Sequence, residues 1–120
     1  MAKDQAADDR PGQESITLLS KARDECFDRV CDLDLPLETR NEFSKRHKQL
    51  GEIVEKLSAK RFHEASAEFK NQKELQDQNK RLSEHVKDLD GMGKNIDNAQ
   101  KFFNVFDQVI QVGLTLVTLV

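Results

Sequence analysis

The sequence predicts an all-α protein, an elongated helical hairpin or coiled coil with a short N-terminal helix and an apolar C-terminal helix. Three observations lead there. The chain is rich in helix formers and poor in breakers, with five glycines and two prolines in 120 residues, a composition of long helices rather than sheet. Its apolar residues recur at steps of three and four, the period of one helix face. Its last charge is Asp107, so that FFNVFDQVIQVGLTLVTLV, residues 102–120, is far more apolar than anything before it. Charged residues make up 34% of the chain, a level also met in disordered proteins, but disorder gives no reason for a period.

The length is that of one domain. Residues 1–12, MAKDQAADDRPG, mix both charge signs, hold almost no bulky apolar residue and end in Pro-Gly, and are expected to form a disordered tail. Residues 13–120 form the helical domain. The first helix is expected over about 14–33, with Ser15 as N-cap. Its stripe runs through Ile16, Leu19, Arg23, Cys26, Phe27, Val30 and Leu33, with Ala22 beside the gap at Arg23 and with Phe27 and Val30 as the firmest anchors. DLDLPLE breaks it. Leu35 precedes a proline and is biased toward extended backbone. Pro36 suits the first turn of a new helix, and Glu38 favours the same turn through the helix dipole.

From Pro36 to Leu89 no proline interrupts the pattern, and Gly51 is the one glycine. Taken as one helix, 36–89 would be about 80 Å long, the length of a coiled-coil arm. Phe43, His47, Leu50, Val54 and Leu57 form its first stripe, and Phe62, Ala65, Phe69, Gln72, Leu75, Asn79, Leu82, Val86 and Leu89 its second. Between Leu57 and Phe62 the step is five, an irregularity at which a coil changes pitch or bends. Gln72 and Asn79 are polar residues in the seam, placed to fix register, or simply to face water where the arm is uncovered. Glu42 with Arg46, Glu52 with Lys56 and Asp77 with Arg81 are ion pairs of the favoured order on the outer faces. DGMGKN, residues 90–95, reads as a turn that sends the last helix, about 96–120, back antiparallel. The β-branched end VGLTLVTLV also suits a strand, but the helical spacing carries into it from Ile96.

Several function classes fall away. Residues 1–35 carry five basic and nine acidic side chains, and 36–90 carry twelve and eleven, so no positive face points to nucleic acid. His47, His63 and His85 have no companions at metal-ligand spacing. The carboxylates are scattered, and no phosphate loop or nucleophile elbow is present. The expectation is no enzyme, no cofactor and no small-molecule substrate. Cys26 and Cys31 lie about 140° apart around a helix and read as reduced thiols; with no apolar leader at the N-terminus, a cytoplasmic location is expected.

The C-terminal helix is expected to fold back along the long helix and bury part of its face against Phe69, Leu75, Leu82 and Val86, with the first helix as a third layer; from Val109 it is apolar almost all round, and three helices give it thin cover. The sequence therefore predicts a non-enzymatic interaction or scaffold protein that forms a homo-oligomer or binds a protein partner. The expected contact residues are Phe102, Phe103, Phe106, Val109, Ile110, Leu114, Leu116 and Val117. The alternative is a protein docked peripherally on a membrane, or active on one, through the same segment. From Val109 the segment is too short to span a bilayer, and a start at Phe102 would bury Asp107.

Overall fold

The structure is a computed structural model that describes residues 2–59, 72–92 and 99–118. These residues form four helices and no strand: α1 (Ala2–Val30), α2 (Leu37–Ala59), α3 (Gln72–Met92) and α4 (Ala99–Thr118).

Helix α1 begins at Ala2, which corrects the expected tail over 1–12. Pro11 therefore lies inside a helix, where a proline costs about 3 kcal/mol. Ala, Lys and Gln before it are good helix formers, and Gly12 and Ser15 just after it are buried. Tertiary burial holds the helix through a residue that local propensity would use as its start. Ser15 is accordingly no N-cap: its Oγ donates to Asn79 Oδ1 of α3. The buried stripe of α1 is Ser15, Leu19, Ala22, Cys26 and Arg29. It is rotated from the expected one, and Phe27 stands at the surface.

The helix stops at Val30 in tightening turns. Cys31 N–H bonds Phe27 O at 3.0 Å, and Asp32 N–H bonds Arg29 O at 3.2 Å. Asp32 Oδ1 then accepts from Asp34 N–H at 3.0 Å, a side chain closing the turn as Asp characteristically does. Leu35, the residue before the proline, points inward and is buried. Pro36 is the cap of α2, its carbonyl taking the Arg40 N–H at 3.0 Å, with Glu38 in the first turn.

The expected 36–89 helix is not one rod. Its first and last thirds are α2 and α3, and these make no contact with each other. The molecule measures 51 × 25 × 22 Å, too short for an arm of about 80 Å. The Leu57–Phe62 irregularity runs into residues outside the described ones, as do Phe62, His63, Ala65 and Phe69. Gly91, expected to end the helix, lies within α3, and Gly93 to Asn95 are again outside the described residues.

The side-chain contacts fix the arrangement. Val30 meets Arg40, Cys26 meets Phe43 and Arg23 lies against Gly51, so α1 and α2 are antiparallel. Phe43 meets Phe102 and Phe106, Arg46 meets Asp107, and Ile53 meets Gly113, so α2 and α4 run parallel. Ser15 with Asn79 and Lys21 with Asp90 set α1 parallel to α3. The helices stand at the corners of a bundle in the order α1, α2, α4, α3, two hairpins side by side, with α2 and α3 diagonally opposed. Phe43, Phe102 and Phe106, all fully buried, centre the core at one end. Leu19, Ile53 and Leu116 fill it toward the other.

Candidate interaction surface

The eight residues expected to contact a partner do not form one surface. Phe102, Phe106, Val109 and Leu116 are wholly buried and Ile110 nearly so, together with Val112 and Gly113. Phe103 and Val117 are half-buried, and Leu114 alone of the eight is exposed, at 44%. Phe102, Phe106, Val109, Ile110 and Leu116, expected at a contact surface, thus lie in the buried core of the described helices. The physical reason is the split of the long helix. Two shorter helices in place of one rod give α4 a second wall, so it lies between α2 and α3 with α1 across the core. Cover on several sides is what a helix apolar almost all round requires.

Of the two seam residues, Asn79 is buried and holds the Ser15 hydroxyl between α1 and α3. Gln72 opens α3, and its side chain lies outside the described residues. The neighbouring Gln78 is also buried, its amide donating to Glu74 at 2.9 Å.

Charge is organised at two joints. Arg46 bonds Asp107 at 2.9 Å and Glu42 at 3.2 Å, and its guanidinium lies 4.4 Å from the centre of the Phe103 ring. The hydrogen bond from Arg46 holds the Glu42 carboxyl below its ordinary value. This joint ties α2 to α4 and closes over the one aromatic of α4 that the core leaves half out. At the other joint Lys21 reaches Asp90 at 3.0 Å, and that bond lowers the Asp90 carboxyl while burial, then the hydrogen bond to Asp90, raises Glu25. Both are solvated interhelical clasps, of the kind that contributes little to stability.

The two thiols are free and unlike. Cys31 is exposed, whereas Cys26 is buried with its S–H donating to Phe43 O at 3.0 Å. Burial pushes the Cys26 thiol up to about 12, which keeps it protonated and inert. Among the described residues no three His, Cys, Asp or Glu side chains gather as metal ligands would. None of the described helices is long and apolar enough to cross a membrane.

The exposed apolar surface lies elsewhere. Phe27 is 49% exposed, Leu33 81% and Leu37 67%; with Leu114 these are the large apolar side chains at the surface of the described residues. Phe27 rests on the His47 ring, centroids 5.3 Å apart, so it bridges the outer face of α1 and α2. Leu33 and Leu37 flank the inward-pointing Leu35 in the connection just beyond it. Sequence reasoning placed Phe27 and Leu33 in the core stripe. The available signal was Leu33-Asp34-Leu35-Pro36-Leu37, three leucines alternating around an extended pre-proline residue, of which one face alone can turn inward.

Comparison with protein-family models, with curated proteins and with solved structures returns no match. The function therefore has to rest on the molecule's own geometry.

Proposed function

We propose that this chain is a non-enzymatic helical interaction protein that binds a protein partner, and that its contact surface is the α1–α2 end of the bundle rather than the apolar face of α4. One observation carries the reading: Phe27, Leu33 and Leu37, within eleven residues of one another, stay in solvent although the same fold buries Phe102, Phe106, Val109, Ile110, Val112 and Leu116 of the most apolar helix. Exposed apolar side chains gathered at one place mark contact sites more often than scattered ones do. Leu33 sits on the connection between α1 and α2, and Leu37 opens α2; a connection is where side chains are most open to binding. On α4, Leu114 is the exposed member of the expected contact set, with Phe103 and Val117 half-buried.

The test is site-specific photo-crosslinking in the cells of origin. A crosslinker at position 37 should give discrete protein adducts that one at position 114 does not. Adducts from 114 alone would return the contact to α4. Flotation of the purified chain with liposomes, lost on Leu33→Ser/Leu37→Ser, would favour membrane docking instead.

A further inference from the structure

We infer that the partner docks on the α1–α2 end through a basic amphipathic helix, with apolar side chains set against Phe27, Leu33 and Leu37 and lysines or arginines along its flanks. This rests on the reading of that end as the contact surface and adds the chemistry of what binds there.

The charge around the apolar patch selects the partner. Between Asp24 and Arg40 the chain holds six carboxylates and two guanidiniums. Asp28, Asp34 and Glu38 are exposed beside the three apolar residues. Neither guanidinium is presented outward as a counter-charge. Arg29 is buried, bonded to Glu25 O at 2.8 Å and to the Glu25 carboxylate at 3.4 Å, and lies 4.3 Å from the centre of the Phe102 ring. Arg40 is drawn back onto the end of α1, its Nε donating to Val30 O at 2.9 Å. Around Leu33 and Leu37 the surface thus pairs apolar side chains with exposed carboxylates, while Lys48 follows His47 on the α2 side of Phe27. Apolar anchors with cations on either side complement that pattern, and an amphipathic helix supplies both at a spacing of three to four residues.

The same carboxylates disfavour the other occupants. An anionic lipid surface is repelled by them, and a second copy of this chain would bring like charges together. A surface of three apolar anchors belongs to the small, transient class of contacts, in which charge contributes strongly to the rate of encounter and to its salt dependence.

The test uses the full chain and two defined probes, an 18-residue Leu/Lys amphipathic peptide and its Leu/Glu counterpart, titrated by calorimetry at low and physiological salt. The Leu/Lys peptide should bind and the Leu/Glu peptide should not. Leu33→Ser/Leu37→Ser, which keeps every charge, should weaken binding roughly tenfold or more. Asp28→Asn/Asp34→Asn/Glu38→Gln should flatten its salt dependence, and Leu114→Ser should leave it unchanged. Far-UV circular dichroism of each variant separates loss of binding from loss of fold, and all these positions are exposed. Equal binding of both peptides, with the leucines still required, would overturn the basic partner while leaving the surface in place. Binding indifferent to Leu33 and Leu37 would remove both the surface and the partner proposed for it. Binding to phosphatidylserine vesicles that needs the same leucines would overturn the choice of protein over lipid.

Discussion

Phe106→Ala takes a fully buried ring out of the aromatic cluster at one end of the core. The ring stands 6.0 Å from Phe43, edge to face, and 6.5 Å from Phe102. Truncating a buried Phe to Ala costs about 3–5 kcal/mol, the spread reflecting how far the cavity collapses. Here the upper half applies, because each aromatic pair adds about 0.5–1.5 kcal/mol beyond burial. A chain of 120 residues has a total stability of about 6–18 kcal/mol. A loss of about 4 kcal/mol, at a urea slope of about 2 kcal/mol/M, lowers the midpoint by about 2 M. Leu114→Ala is the control: its side chain is 44% exposed, and its loss should cost about 1 kcal/mol or less. The assay is urea unfolding followed by circular dichroism, with light scattering on each variant in buffer. If α4 served chiefly as a partner surface, Phe106→Ala would change the mass and barely move the midpoint. That outcome would refute the core assignment.

Two further predictions follow from single side chains. Ellman's reagent should modify Cys31 at once in the native protein and Cys26 only on unfolding. Because Cys26 rises from an ordinary 9.0 to about 12 on folding, the unfolded chain loses that proton first. Stability should therefore be level with respect to this thiol below about pH 9 and fall by about 1.4 kcal/mol per pH unit above it. Cys26→Ala should remove that alkaline component from pH-dependent urea titrations. At Gly113 an added Cβ would lie 3.0 Å from Ile53 Cγ2 and 3.2 Å from both Ile53 Cδ1 and Leu19 Cδ2. Gly113→Val should destabilise by about 1–3 kcal/mol through overpacking, and by less in an Ile53→Ala background, where space has been opened. A thermal melt of the four members of that cycle checks the coupling.

Much of the fold is legible in the residues. Apolar steps of three and four give the helices, Pro36 gives the start of α2, and the helical spacing entering VGLTLVT carries on as helix to Thr118. Asn79 stands out as a polar residue on an apolar stripe, and it is indeed buried. That α3 runs opposite to α2 is not legible, because no proline or glycine stands between Ala59 and Gln72 to signal a stop. The relative direction of the two helices follows from their packing with α1 and α4 around one core. That single point moves the function as well. With a continuous rod α4 lacks cover; with two hairpins its Val109 and Leu116 become interior. The exchange of Phe27 for Arg29 is hidden for a different reason. The Arg29 guanidinium lies over the Phe102 ring while it bonds backbone and carboxylate oxygens of Glu25, so the residue type that reads as surface is inside and the aromatic beside it is not.

The central claim, that the C-terminal apolar helix completes its own bundle, is tested most directly by removing half of it. Light scattering and urea unfolding of the full chain should be set beside a version ending at Gln108, which lacks the buried Val109, Ile110, Val112, Gly113 and Leu116. The account predicts a full-length monomer of 13.8 kDa with a cooperative transition, and a truncated chain that has lost that transition. A full-length oligomer that falls to a cooperatively folding monomer on truncation would contradict it.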